Sequence, residues 1–303
     1  MKPTRILIVT TAFSALSLAL TFSACKKDSN SSSSTTNETD AVSLSTSSAT
    51  ADNQYNDVLN MALETGVDGS TTATGFSPGA YSGTSRPVQV TGGDGTSIPS
   101  CAVISVSPAD TISYPKTVSI DFGTGCTDGN GVTRKGKITY VFSGKILSPG
   151  TTVSVTFDGY SVGGYQLAGA YSITNNSSGN GVSFMTTITG GQITFPDASY
   201  YSYAGTRTVA QTAGAGTLTV LDNVYSITGS HTYSSSAGKS LVDSITTPLV
   251  WQTTCRHIVS GVIGFTYSYN GVTLNGTLDY GNGDCDSLAT IKVGATTKTV
   301  GLP

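Results

Sequence analysis

Gly264-Phe265-Thr266-Tyr267-Ser268-Tyr269-Asn270-Gly271-Val272 decides the fold class of this chain. Its aromatic residues alternate with small or hydroxylated ones, which places Phe265, Tyr267 and Tyr269 on one face of a strand. Asn270-Gly271 then supplies two residues that accept positive φ, the strongest short signal for a hairpin. The same period of two recurs in Thr151-Thr152-Val153-Ser154-Val155-Thr156-Phe157 and in Thr217-Leu218-Thr219-Val220-Leu221. No helix-period segment of useful length follows residue 100. The chain is therefore read as all-β over residues 100–303: an antiparallel meander forming a curved sheet, half-barrel or sandwich, with one short N-terminal helix.

Glycines inside these strands argue for curvature. An apolar-x-Gly unit appears in Phe142-Ser143-Gly144, Leu167-Ala168-Gly169, Tyr203-Ala204-Gly205, Ile227-Thr228-Gly229, Val259-Ser260-Gly261 and Leu274-Asn275-Gly276. A mid-strand glycine marks a bulge, a bend or the close approach of another backbone. The irregular spacing of these units speaks against a solenoid.

Upstream of the strands, Tyr55, Val58, Leu59, Ala62 and Leu63 fall at helical spacing, and Gly66 follows. A short helix is predicted over residues 53–66, with Asp52 or Asn53 as its cap. Residues 67–99 read as an irregular connection with one strand at Val88 to Val90.

The N-terminus carries an address. Lys2 and Arg5 precede an uncharged apolar run from Ile6 to Phe22, and Ser23-Ala24 leads into Cys25. This is the tripartite pattern of a secretory signal peptide over residues 1–24. Its ending resembles a bacterial lipobox, which implies lipidation of Cys25 and a membrane partner reached through that lipid. Lys26-Lys27-Asp28 opens a stretch of Ser, Thr, Asn and Ala, and residues 25–52 are expected to form a disordered tether.

Export places the remaining cysteines in an oxidising compartment. Cys101 and Cys255 each open a strand-like run, and Cys126 and Cys285 each close one. In an antiparallel pair such positions face each other, so disulfides are expected as Cys101–Cys126 and Cys255–Cys285. Four thiolates on zinc would call for Cys-x-x-Cys spacing, which is absent.

Charged residues are 11% of the chain, and the net charge is −3. No basic block offers phosphate neutralisation, which excludes nucleic acid as a partner. No cofactor and no metal are expected. The oxygen-rich turns that calcium would use are Asp128 with Asn130, and Asn282 with Asp284 and Asp286, and ordinary β-turn chemistry accounts for both.

No catalytic residue is assigned. Gly159-Tyr160-Ser161-Val162-Gly163 has the spacing of a nucleophile elbow, but a strand, not a helix, follows it. His231 and His257 have no carboxylate close in sequence. Tyrosines are abundant, and an exposed strip of them would stack on sugar rings. The candidate ligand contacts are Tyr200, Tyr201, Tyr203, Tyr267 and Tyr269.

Residues Pro115 to Cys126, Arg134 to Ile138, and the tail from Cys255 through Asp286 to Val300 resemble a group of Bacteroidota lipoproteins that carry no assigned activity. The resemblance implies a cell-envelope protein anchored by lipid to the outer membrane, periplasmic or surface-exposed. It implies no site residue. The expected role is a non-enzymatic binding or structural module for a glycan or another envelope component. The alternatives are a lipid or acyl-chain carrier or periplasmic chaperone, and a hydrolase of envelope polymers.

Overall fold

The alternating segments form strands, and the turn residues separate them. A computed structural model describes residues 29–66, 98–110, 112–129, 131–179, 181–215, 223–252, 254–255 and 257–302. The signal segment, Cys25, the strand anticipated at Val88, the alternating run from Thr217 to Leu221, and Asn130 lie outside the described residues.

One helix, α1 (Ser29–Gly66), precedes the strands. They are β1 (Val103–Ser107), β2 (Lys116–Asp121), β3 (Cys126–Thr127), β4 (Thr133–Phe142), β5 (Thr152–Val162), β6 (Tyr165–Asn175) and β7 (Ser183–Thr194). They continue as β8 (Tyr200–Ala213), β9 (Val224–Ser235), β10 (Ser240–Gln252), β11 (Ile258–Tyr269), β12 (Val272–Asn282), β13 (Leu288–Val293) and β14 (Thr296–Gly301). All pair antiparallel with their chain neighbours in one meander, except that β2 pairs with β4 and β3 adds to β4 off the path. The sheet is open, with β1 and β14 as its ends.

Helix α1 lies on the inner face of this sheet. In its first third, Thr296 of β14 donates a hydrogen bond of 2.6 Å to Glu38. Toward its end, the Tyr140 hydroxyl of β4 donates to the Val58 carbonyl at 3.1 Å. The helix covers roughly 30 Å between these two contacts at 1.5 Å per residue. The sheet path from β14 to β4 crosses neighbouring strands spaced about 4.8 Å apart, an arc of roughly 48 Å. An arc that long over such a chord curls the sheet through roughly half a circle. Ile120, Ile138, Tyr140, Ile173, Ile193, Tyr233, Tyr267 and Ile291 of the inner face are fully buried, as are Ala51, Val58, Met61 and Ala62 of the helix.

The helix corrects the N-terminal reading. The stretch expected as a flexible tether to residue 52 is helical from Ser29, and the helix expected to start at residue 53 is its continuation. A Ser/Thr-rich composition argues for disorder when a segment must bury surface by itself. Here a tyrosine-rich concave face supplies the other half of the core, and packing rather than propensity holds the helix. Ala41, Ser45, Ser48, Ala49 and Ala51 are small and buried against it. The Thr46 and Thr50 hydroxyls, facing little water, donate to the carbonyls four residues back, both at 3.0 Å. Among the described residues no helix is long and apolar enough to cross a membrane.

Mid-strand glycines mark register shifts where curvature concentrates. Gly169, at φ +107°, sits at the shift between β6 and β7, where a Cβ would lie 2.5 Å from the Cα of Gly191. Gly261, at φ +115°, sits at the shift between β11 and β12, where a Cβ would lie 2.6 Å from the Cα of Leu249. Both disulfides pair as expected, Cys101 with Cys126 and Cys255 with Cys285. They lie at opposite ends of the strands: the first joins the approach to β1 to β3, the second joins the loop before β11 to the loop before β13.

Candidate functional site

The inner face is apolar along most strands, yet three strands in a row place a polar group on it. Inward positions of β8 run Tyr203, Gly205, Arg207; those of β9 include His231; those of β10 include Asp243. Gly205 pairs directly with His231, and a Cβ there would strike the imidazole, so the glycine makes room for the ring. Helix α1 completes the group with Ser48 and Asp52.

Asp52 is the hub. Its carboxylate accepts from Arg207 at 2.5 Å, from His231 Nδ1 at 2.9 Å, and from the Tyr203 hydroxyl. Asp243 takes the other side of the cluster. It accepts from Ser48 at 3.2 Å, from the His231 backbone N–H at 3.1 Å, and from Arg207 at 3.4 Å. Burial disfavours a charged Asp52, but the Arg207 guanidinium and then His231 outweigh it and hold this carboxyl well below the ordinary range. Asp243 moves the other way, raised by burial and by the negative charge of Asp52. Burial and Asp52 also push the Tyr203 hydroxyl far above its usual value.

A second clamp of the same design lies farther along the helix. Asp57 receives Arg134 of β4 through two nitrogens, at 2.7 and 3.2 Å, and Arg134 reaches Asp128 at 2.9 Å. The Tyr160 hydroxyl of β5 adds a contact to Asp57 at 3.3 Å. In both clamps an arginine from the sheet lies between a helix carboxylate and a second one, which comes from β10 in the first clamp and from the turn between β3 and β4 in the other. Between the clamps, the Tyr55 hydroxyl donates to the carbonyls of Ala168 and Gln192, where the bulge exposes them to the helix.

Chemically, Tyr203, His231 and Asp52 have the makings of a proton relay. Their burial decides otherwise. His231 is 2% exposed and Tyr203 is 1% exposed, with α1 covering both. A substrate would have to displace the helix to reach them. The cluster pins α1 into the sheet.

The surface offers a different kind of site. Where β8 begins and β9 turns into β10, a hollow of about 350 Å³ opens beside the first half of α1. Tyr200, Tyr201, Leu44 and Ala198 line it, together with Asp40, Ser43, Ser199, Ser235, Ser236 and Lys239. Tyr201 stacks on Tyr233 with centroids 4.8 Å apart and meets Phe195 edge-on at 5.2 Å. Lys239 pairs with Asp40 at 2.8 Å and lies 5.5 Å from the centroid of Tyr269.

The five candidate tyrosines divide by depth. Tyr203 and Tyr267 are core residues, 1% and 0% exposed, and neither is open to a ligand. Alternation puts Tyr201 with Tyr203, and Tyr269 with Tyr267, on the inner face; the outer member of each pair reaches the mouth because its strand ends there. Tyr200 is 48% exposed.

Of the candidate calcium turns, the first is described at Asp128 but not at Asn130, and the second is described throughout. Asp128 is turned inward onto Arg134, while Asn282, Asp284 and Asp286 are exposed around Cys285. No group of three or more His, Cys, Asp or Glu side chains that could hold a metal ion is found among the described residues.

Sequence reasoning missed Arg207 and Asp243, read Asp52 only as a candidate helix cap, and found no carboxylate close to His231 in sequence, where the fold brings Asp52 and Asp243 to it. The available signal was parity. Arg207 lies two pleats from Tyr203, His231 one from Tyr233, and Asp243 one from Leu241, each on an apolar strand face. Polar groups in such positions require partners. No protein-family model matches the chain, and no curated protein or solved structure shows significant similarity to it.

Proposed function

We propose that the chain is an exported module of the cell envelope, anchored to the outer membrane by lipid on Cys25, that binds a glycan or another envelope component without chemically altering it. The observation that carries this reading is the seating of α1 along the concave face of the sheet. A carrier of acyl chains needs that face as an apolar trough, and here Val58, Leu59 and Met61 of the chain itself occupy it. A hydrolase needs paired carboxylates open to a cleft, and Asp52 and Asp243 are instead committed to Arg207 beneath the helix. Among the described residues, the mouth hollow, with aromatic and hydroxyl groups on its walls, is suited to recognition. The two disulfides agree with an oxidising compartment.

Labelling of growing cells with a palmitate analogue, followed by membrane fractionation, tests the reading. The wild-type protein should carry label and sediment with outer membranes, and Cys25→Ala should lose both properties. An unlabelled, freely soluble wild-type protein would refute the anchored-module reading. Protease shaving of intact cells then assigns the face of the membrane.

A further inference from the structure

Resting on the reading of the chain as an envelope-binding module, we propose that the mouth hollow takes an uncharged sugar unit, stacked on Tyr200 and hydrogen-bonded by the Asp40–Lys239 pair. Three independent features of the hollow lead to this ligand class.

The first is aromatic exposure. The inward-facing tyrosines fill the core, while Tyr200 remains 48% exposed beside the hollow. A half-exposed ring offers an apolar platform that a flat sugar face would cover, with its hydroxyl left in water. Next to it Tyr201 is already fixed between Tyr233 and Phe195, so one wall of the site is ordered before any ligand arrives.

The second is charge. The acid and the base on the rim are paired at 2.8 Å, and the ammonium also faces the Tyr269 ring. The pair carries no net charge, so an anion drawn to Lys239 is repelled by Asp40 and a cation drawn to Asp40 is repelled by Lys239. Neighbouring hydroxyls of a sugar would instead accept from Lys239 and donate to Asp40 while the pair stays intact. Around them Ser43, Ser199, Ser235 and Ser236 supply short hydroxyls. Ser199 is held by Asp197, which accepts from both its N–H and its hydroxyl at 2.9 and 2.6 Å.

The third is size. A hollow of about 350 Å³ lies at the small end of ligand sites. It suits a terminal or single unit of a glycan, not a long polymer cleft and not an extended acyl chain.

The test uses the purified full-length protein in detergent on an array of immobilised neutral and uronic-acid-bearing oligosaccharides, followed by calorimetric titration of the best free oligosaccharide. Binding should be confined to neutral saccharides. It should weaken by about three- to tenfold in Tyr200→Ala, the loss of one stacking contact, survive in Tyr200→Trp, and weaken in Lys239→Met, with all variants melting as the wild type does. Binding that favours the acidic saccharides, neutral binding indifferent to Tyr200→Ala, or no binding to any neutral saccharide would each overturn the assignment. Those failures concern the hollow alone, because the anchored-module reading stands or falls on Cys25 and fractionation.

Discussion

Arg207 shows how the fold disposes of a buried cation. Asp52 reaches it from the helix and Asp243 from the next strand but one, and all three side chains are at most 15% exposed. Removing one partner of such a group leaves a charge without compensation, which costs far more than the pair contributes when intact. Arg207→Met is therefore expected to lower stability by about 3–5 kcal/mol, and adding Asp52→Asn should restore part of that loss. Urea unfolding of the two single variants and the double variant measures the coupling; strictly additive losses would show that the two groups do not depend on each other.

Acid behaviour follows from the same residues. The folded value of Asp52 is depressed, so its stabilisation is complete above the unfolded value of about 3.9 and is lost as pH falls through the lower folded value. Asp243 is shifted upward, so its ionised form costs stability above its raised folded value, and that cost fades as pH falls toward the unfolded one. The melting temperature should hold or rise from neutral pH down to about 4 and fall only below that. In Asp52→Asn the acid limb should be shallower. A steady loss of wild-type stability between about pH 7 and 5 would contradict the assignment of these two shifts.

At the scale of elements, α1 is the unusual member. It has neither the composition of a stable isolated helix nor a strong apolar stripe, and its burial runs around most of its circumference between Glu38 and Leu63. Such a helix depends on the surface that surrounds it. Hydrogen exchange of its backbone amides over residues 38–63 should accordingly be as slow as that of the central strands, and both should open together. Exchange within seconds across residues 38–52 would mean that the segment behaves as a tether after all.

For the whole molecule, the two disulfides act on separate parts of the chain. They close loops with sequence separations of 25 and 30 at opposite ends of the strands. In chain-entropy terms each loop is worth about 3–4 kcal/mol. Replacing both cysteines of one pair by serine should cost about that amount, and the two losses should add because the sites share no partner. Denaturant titration of the two double-serine variants and the quadruple variant checks both statements. Non-additive losses would imply that the ends of the sheet are coupled through α1.

Local chemistry made much of this protein legible from its sequence. Period-two alternation, Asn270-Gly271, the bends at Gly169 and Gly261 and the two cysteine pairings depend on residues near one another along the chain or on adjacent strands. Pleat parity held an unread signal for Arg207, His231 and Asp243, which share strand faces with buried apolar residues, although nothing local says which carboxylate would meet them. The tertiary structure alone decided that Ser29 to Asp52 is helical, because only a curved tyrosine face arriving much later in the chain makes burial of the small side chains between Ala41 and Ala51 favourable. It also separated Tyr200, Tyr201 and Tyr269 at the mouth from Tyr203 and Tyr267 in the core. All five lie in similar strand sequence, and the depth of each ring is set by how the sheet curls around the helix.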